Sequence, residues 1–234
     1  MRILALDSSA KSASVAILED KKVLGEFYIN VGLTHSQTLL PMVKSLLENT
    51  KIDLYTIDCF AVSAGPGSFT GVRIGVSAVK GMALALKKPC VSVSTLESLA
   101  YNVINENCIV CAVMDARCNQ VYNAIFKIEN GKITRLTPDR AISIDELYIE
   151  LSKYNEKIIL VGDGADLCYN KKVCNLSLCV ANESFKCQTA KSVAYVGRDL
   201  FLNGEAVPAA NLVPTYLRRP QAERVLCEKR GISL

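Results

Sequence analysis

Few side chains in this sequence have the type and spacing that catalysis needs. His35 is the only histidine among the 234 residues, so a His-x-x-x-His metallopeptidase site is excluded. A Ser-His-Asp triad would have to use His35, but that residue falls on an apolar stripe of a predicted helix, which favours packing over catalysis. A peptidase is therefore the least favoured of the possible functions.

The ten cysteines do not predict a metal site. Cys108 and Cys111 are an odd number of positions apart in a predicted strand, so their side chains should face opposite sides of the sheet. The other spacings match no zinc-binding pattern. We expect reduced thiols and no bound metal.

A glycine-rich turn at residues 65–71 (GPGSFTG) links a predicted strand to a predicted helix. Its backbone N–H groups and the helix N-terminus could bind an anion. The turn is not a P-loop, which ends in Gly-Lys-Ser/Thr. It is not a dinucleotide fingerprint either, whose third glycine would stand at Thr70. The alternative is a tight turn with a helix cap and no ligand.

Two aspartates, Asp7 and Asp115, end the first strands of two similar segments, where α/β sheets place ligand groups. Serines follow Asp7, and Arg117 could pair with Asp115 or reach a ligand. The alternative is that each aspartate only caps a sheet edge. The candidate anion or nucleotide site comprises Asp7, Ser9, Gly65, Gly67, Ser68 and Arg117.

The elements that would position these residues occur twice along the chain. Each copy predicts three strands, a helix, a strand and a second helix, with polar turns between the strands. A duplicated β-β-β-α-β-α unit predicts an α/β fold with two related domains around mixed sheets. The predicted domains are 1–103 and 104–210, and we expect the C-terminal tail, 211–234, to return to the N-terminal domain.

Two predicted helices of the first domain, at about 34–48 and 68–86, each carry two apolar stripes, although packing on a sheet requires only one. Gly71 and Gly75 indicate that something packs close to the second helix. That neighbour could be the sister helix or another protein, and the pattern does not choose between them. As a partner interface we predict His35, Leu39, Met42, Val43, Leu46, Val72, Gly75, Val76 and Val79.

The composition is that of an ordinary globular protein, with 50% hydrophobic residues, 21% charged residues and a net charge of +4. We expect no membrane-spanning segment and a cytoplasmic location. From Pro214 onward basic residues outnumber acidic ones. This excess is typical of a solvated chain end, or it could contact phosphate or a partner.

Several motifs of this chain resemble those of the TsaB (YeaZ) family, from residue 1 to about residue 219. They are 4–9 (LALDSS), 34–41 (THSQTLLP), 65–75 (GPGSFTGVRIG), 114–117 (MDAR), 121–122 (VY), 162–164 (GDG) and 214–218 (PTYLR).

The resemblance implies the actin-like (ASKHA) fold of actin, Hsp70 and the sugar kinases, and a non-catalytic role. In the related TsaD family a His-x-x-x-His motif binds metal. Thr95 and Leu99 stand at the matching positions here, and neither can replace an imidazole. The implied role is to bind the catalytic subunit TsaD through the first-domain helices, with the ATPase TsaE and tRNA joining the assembly.

That assembly makes threonylcarbamoyladenosine (t6A) at adenosine 37 of tRNAs that read ANN codons. The resemblance further implies no tightly bound cofactor, ATP or ADP only within the assembled complex, and homodimers when TsaD is absent. The rival function is a small-molecule kinase or ATPase of the actin-like superfamily. Against it, the second domain lacks clear phosphate motifs with a catalytic carboxylate.

Overall fold

A computed structural model describes residues 1–171 and 176–218. The expectation of a basic C-terminal segment concerns mostly residues beyond 218, which lie outside the described residues. Cys174 and Cys227 lie outside them as well.

The first unit alternates strands and helices after an opening antiparallel meander. Its elements are β1 (Arg2–Asp7), β2 (Ala13–Glu19), β3 (Lys22–Ile29), α1 (His35–Thr50), β4 (Cys59–Gly65), α2 (Phe69–Leu86), β5 (Pro89–Ser94) and α3 (Thr95–Tyr101), with a 3-10 turn at Leu54–Thr56.

The second unit repeats this order with shorter helices. Its elements are β6 (Cys108–Asp115), β7 (Gln120–Glu129), β8 (Lys132–Arg135), β9 (Arg140–Ser143), α4 (Ile144–Leu151), β10 (Ile158–Val161), α5 (Ala165–Asn170), β11 (Leu178–Val180) and α6 (Glu183–Lys186). The chain then forms α7 (Ala190–Leu202), β12 (Val207–Pro208) and a 3-10 turn at Ala209–Asn211.

The two sheets have the same strand order. The first runs β3-β2-β1-β4-β5, with β12 added beside β5, and the second runs β8-β7-β6-β10-β11, with β9 also paired to β7. In both sheets the opening meander is antiparallel and the later strands are parallel to the first strand. This duplicated mixed sheet is the actin-like (ASKHA) fold, which confirms the predicted fold class. The predicted repeat lacked its last strand, β5 in one unit and β11 in the other.

The cysteines follow the alternation of the strands. Cys111 packs in the core on one face of the second sheet, and Cys108 packs in the core on the other face. The predicted opposite orientation is therefore confirmed. The eight cysteines of the described residues are all free thiols.

The chain returns to the first sheet earlier than predicted. The apolar face of α7, including Val193 and Ala194, packs against Ile3, Ala5 and other residues of β1, β2, β4 and β5. β12 then pairs with β5. The predicted second domain, 104–210, is corrected accordingly, because α7 and β12 belong to the first sheet.

By length and composition, α2 is the one helix of the described residues that could cross a membrane, which is weak evidence for a span. In the fold α2 packs one face on the first sheet through Val72, Val76 and Val79. Its other apolar face accounts for the remaining hydrophobicity.

The glycines of α2 have two different surroundings. A Cβ on Gly71 would lie 2.1 Å from the Ser8 carbonyl oxygen, and a Cβ on Gly75 would lie 2.6 Å from the Ser8 hydroxyl oxygen. A Cβ on Gly81 would meet nothing within 4 Å. The close neighbour that the first two glycines indicated is thus the chain's own Ser8, and Gly81 has no such neighbour within the fold.

We predict opposite effects for two glycine-to-alanine substitutions in α2. Gly71→Ala should lower the free energy of unfolding by about 1–3 kcal/mol, because the new methyl group meets backbone. Gly81→Ala should raise it by about 0.5–1 kcal/mol, because alanine is the better helix former and the site is open. Urea denaturation of both variants measures the difference, and effects of equal sign would contradict this packing.

Candidate functional site

The glycine turn between β4 and α2 packs against the turn that follows β1. The Ser68 N–H donates to the Ser9 carbonyl oxygen at 2.7 Å, and a Cβ on Gly67 would lie 2.5 Å from that same oxygen. The Ser68 hydroxyl accepts from the Gly71 N–H at 3.3 Å and so caps the helix. Protein backbone therefore occupies the space beside this turn.

Asp7 links the two turns through hydrogen bonds and is buried, with 1% of its surface exposed. Its carboxylate accepts hydrogen bonds from the Ser9 N–H and the Ser9 hydroxyl, both at 2.9 Å. The Ser63 hydroxyl of β4 donates to its second oxygen. Burial raises the pKa of this carboxyl above its ordinary value, and the serine hydrogen bonds oppose that shift.

The C-terminal segment covers the remaining side of the glycine turn. The Thr215 N–H donates to the Ala64 carbonyl oxygen at 2.7 Å. The Thr215 carbonyl oxygen would lie 2.3 Å from a Cβ on Gly65, whose φ is +122°. Glycine is required at this position by the returning chain, both for its backbone conformation and for its missing side chain.

The equivalent hairpin of the second unit carries Arg117. Its N–H donates to the Asp115 carboxylate at 2.7 Å, and Arg117, Cys118 and Asn119 all have positive φ. The Arg218 guanidinium donates to the Ala116 carbonyl oxygen at 2.5 Å, so the C-terminal segment spans the two units.

The anion-site prediction is corrected by this geometry. Asp7, Ser9 and Gly65 are buried, and the backbones of Ser9 and Thr215 fill the space beside Gly67 and Gly65. Ser68 caps its own helix, and Arg117 lies on the other unit's hairpin. The turn is a packed junction in this conformation and presents no open anion cradle.

His35 makes a structural contact. Its Nε2 lies 2.7 Å from the Ala10 carbonyl oxygen and donates to it in the tautomer that this contact requires. Its Nδ1 is buried without a hydrogen-bond partner among the described residues. His35 ties the start of α1 to the turn after β1, as the packing interpretation predicts.

The core thiols are poor nucleophiles. Burial raises the pKa of Cys59 and of Cys168 to about 12, and the pKa of Cys90 and of Cys108 to about 11. A thiol with such a pKa stays protonated at neutral pH, so these cysteines pack as small apolar side chains.

The predicted interface residues require a correction too. All of them except His35 are buried, and their side chains pack between the helices α1 and α2 and the first sheet. The buried residues are Leu39, Met42, Val43, Leu46, Val72, Gly75, Val76 and Val79. The apolar stripe that the prediction assigned to a partner is the one that faces the sheet.

The outward stripes of α1 and α2 enclose a groove on the protein surface. Its first part, about 560 Å³, is lined by His35, Ser36, Leu39, Leu40, Phe69, Thr70, Arg73, Ile74, Ser77 and Ala78. Its second part, about 480 Å³, is lined by Leu40, Leu54, Tyr55, Ser77, Ala78, Gly81, Met82, Ala85 and Leu86. Leu40, Ser77 and Ala78 line both parts, which therefore form one continuous α1/α2 groove.

The α1/α2 groove is lined mainly by apolar residues, and several of those from α2 are small. Leu40 is 50% exposed and Tyr55 is 74% exposed, so two large side chains of adjoining elements face solvent along the same groove. Ser77, Ala78, Gly81 and Ala85 supply small side chains along α2, so another helix could approach its backbone closely. An exposed apolar groove between two helices is one of the surface features that mark protein–protein contacts.

Comparison with known proteins points to one family. A family model described as "TsaD: tRNA N6-adenosine threonylcarbamoyltransferase" matches residues 30–225. The "tRNA threonylcarbamoyladenosine biosynthesis protein TsaB" of Bacillus subtilis (strain 168) is 31% identical over 95% of this chain and 96% of its own length. The chain belongs to the TsaB (YeaZ) family.

Further TsaB relatives agree with this assignment. The TsaB protein of Escherichia coli (strain K12) is 30% identical over 97% of this chain and 98% of its own length. The solved structure "YeaZ from Pseudomonas aeruginosa" superposes with a TM-score of 0.81 at 28% identity, covering 92% of this chain and 99% of that one. The relatives that match over almost their whole length are TsaB proteins, whereas the family model carries the TsaD description.

Sequence reasoning missed most of the residues that line the groove in this TsaB-family chain. Of the predicted interface set, only His35 and Leu39 line it. Gly81 could have indicated the groove. A glycine within a helix destabilises that helix by about 1 kcal/mol relative to alanine, and no neighbour within the fold requires a glycine at this position.

We predict that Asp7→Asn removes a pH dependence of stability. Since burial raises the pKa of Asp7 above the ordinary 3.8, the unfolded chain loses this proton at lower pH than the folded chain does. Stability from this group is therefore complete below about pH 4 and falls as the pH rises through the folded pKa.

The measurement is the free energy of unfolding at several pH values between about 4 and 7. The free energy of unfolding of the variant should rise relative to that of the wild type as the pH rises, because the variant has no carboxyl to ionise at this buried position. If Asp7→Asn keeps the wild-type slope, Asp7 does not titrate as described.

Proposed function

We propose that the chain is a non-catalytic scaffold and activating subunit for the threonylcarbamoyl (t6A) modification of adenosine 37 in tRNAs that read ANN codons. It would act by forming a heterodimer with the catalytic subunit TsaD. The observation that carries this proposal is the continuous apolar α1/α2 groove, which the described residues leave exposed.

A helix pair is the occupant that suits this groove. The family model described as TsaD matches residues 30–225 of this chain, so a TsaD transferase should share the fold and present corresponding helices after its third and fourth strands. Two such pairs can interdigitate as a four-helix bundle, with the small side chains of α2 allowing close approach. A stable interface of this kind buries about 800 Å² on each partner.

Three features favour a supporting role over catalysis. The glycine turn of the first unit is filled by Ser9 and Thr215. Thr95 and Leu99, at the positions where the TsaD resemblance places histidines, are both fully buried. The His35 Nε2 forms a hydrogen bond with the Ala10 carbonyl oxygen. Among the described residues, no serine or cysteine side chain is hydrogen-bonded to His35. These features also argue against the peptidase alternative.

The other partners follow from the family role. TsaE and tRNA would join the complex, ATP or ADP would bind only within the assembly, and the location would be the cytoplasm. The same groove could pair with a second copy when TsaD is absent. The rival kinase or ATPase function requires nucleotide turnover by the purified chain alone, and an ATP hydrolysis assay without TsaD distinguishes the two.

We predict that Ser77→Arg abolishes the complex with TsaD. Ser77 is exposed and lies in the middle of the groove, so a long charged side chain should block a partner helix without disturbing the fold. Co-elution with TsaD from the same organism should be lost, while the circular dichroism and urea midpoint of the isolated chain stay at the wild-type values.

The control for this experiment is Ile149→Arg, which adds the same charge at an exposed apolar residue of α4 outside the groove. It should leave co-elution intact. Co-elution of Ser77→Arg at the wild-type level would place the partner elsewhere. Aspartate at Leu39, Val72 or Val76 does not serve this test, because those side chains lie in the core.

A further inference from the structure

Among the residues that the structure describes, Arg73 is the single charged side chain that lines the α1/α2 groove. Its guanidinium carbon lies 3.8 Å from the centre of the Phe69 ring, and its Nε donates to the Tyr216 hydroxyl at 2.8 Å. The Tyr216 and Phe69 rings are themselves in contact, with centroids 4.8 Å apart. The returning C-terminal segment and α2 together hold this cation in a defined orientation.

No carboxylate neutralises Arg73 within residues 1–171 and 176–218, where the ion pairs involve other residues. A guanidinium has five N–H donors, and the Tyr216 hydroxyl takes one of them. Because Arg73 is exposed, water satisfies the others in the free chain. A partner that covers the groove removes that water, which is unfavourable unless the partner supplies an acceptor.

We propose that Arg73 is a specificity determinant of the groove, and that the helix pair of the TsaD partner brings a carboxylate to it. This inference rests on the proposed function, since it names the chemistry of the partner at the same groove. A carboxylate matches the planar guanidinium through two parallel hydrogen bonds. It would turn the desolvation of Arg73 from a penalty into a favourable contact.

A second copy of this chain meets the same requirement poorly. Among residues 1–171 and 176–218, those that line the groove include no aspartate or glutamate. The exposed Asp53 precedes the groove-lining Leu54, at the other end of the groove from Arg73, and its carboxylate accepts the Tyr55 N–H at 2.9 Å. Self-association through the groove would therefore bring Arg73 to a face that also carries Arg73 and has no carboxylate among its described lining residues, with Asp53 only at its far edge. This charge pattern disfavours the homodimer relative to the heterodimer, as a repulsive element does in other specific interfaces.

Tyr216 has a positioning role in this arrangement. Its hydroxyl and ring fix the guanidinium over Phe69, which reduces the side-chain freedom that binding would otherwise remove. Tyr216 lies beside Arg73 because the preceding Thr215 N–H donates a hydrogen bond to the Ala64 carbonyl oxygen near the end of β4. The C-terminal segment thus contributes to the docking surface together with α1 and α2.

The test compares Arg73→Gln with Lys44→Gln, which removes the same charge from an exposed α1 residue outside the groove lining. Calorimetric titration with TsaD from the same organism, at low and high salt, measures the heterodimer, and sedimentation measures self-association. Arg73→Gln should weaken TsaD binding about tenfold or more and flatten its salt dependence. Self-association should stay unchanged or become stronger, and Lys44→Gln should leave TsaD binding near the wild-type value.

Two further variants separate the possible outcomes. Arg73→Glu should weaken TsaD binding more than Arg73→Gln does, and Tyr216→Phe should weaken it by a smaller factor because the ring remains. Wild-type affinity and salt slope in Arg73→Gln would overturn the inference, as would equal losses of TsaD binding and self-association. If Ser77→Arg abolishes binding but Arg73→Gln does not, only this inference fails. If Ser77→Arg binds TsaD normally, the groove is not the TsaD interface and both proposals lose their structural basis.

Discussion

Close packing between the Ser8–Ser9 turn and the start of α2 is the constraint on which the rest of the structure depends. The Gly67, Gly71 and Gly75 positions lack side chains because Ser8 and Ser9 stand where a Cβ would be. The contact seats α2 on its sheet and closes the space where an anion would sit. It also fixes which stripe of α2 turns outward, and that outward stripe, together with α1, forms the groove. A feature typical of ligand binding in α/β proteins thus serves here to present a protein surface.

The C-terminal segment extends the same junction. Its backbone closes over Gly65, its Tyr216 side chain orients Arg73, and Arg218 reaches the Ala116 carbonyl oxygen of the second unit. One short stretch of chain therefore joins the packed turn, the end of the groove and the second sheet. Because one short segment makes all three contacts, a substitution that breaks one of them should weaken the other two. In the described residues of this TsaB-family chain, these contacts hold the end of the groove against both units.

Local patterns predicted a large part of this fold, and the limits of the prediction have physical causes. The duplicated strand order, the opposite faces of Cys108 and Cys111, and the double stripes of the two helices follow from periodicity and turn chemistry. Periodicity could not say which stripe faces the sheet, because both are apolar. It left the close neighbour of Gly71 and Gly75 open between the sister helix and another protein, whereas that neighbour is Ser8, which is distant in the sequence. The return of α7 to the first sheet likewise depends on long-range packing that no local pattern encodes.

The central claim is that another protein covers the α1/α2 groove, and amide hydrogen exchange tests it most directly. Exchange would be measured for the isolated chain and for the chain saturated with TsaD from the same organism. The account predicts that the added protection is greatest in peptides covering His35–Thr50 and Phe69–Leu86, and that the outer helices α4 and α5 of the second unit exchange as before. A complex that forms while both groove helices keep their free exchange rates would contradict the account.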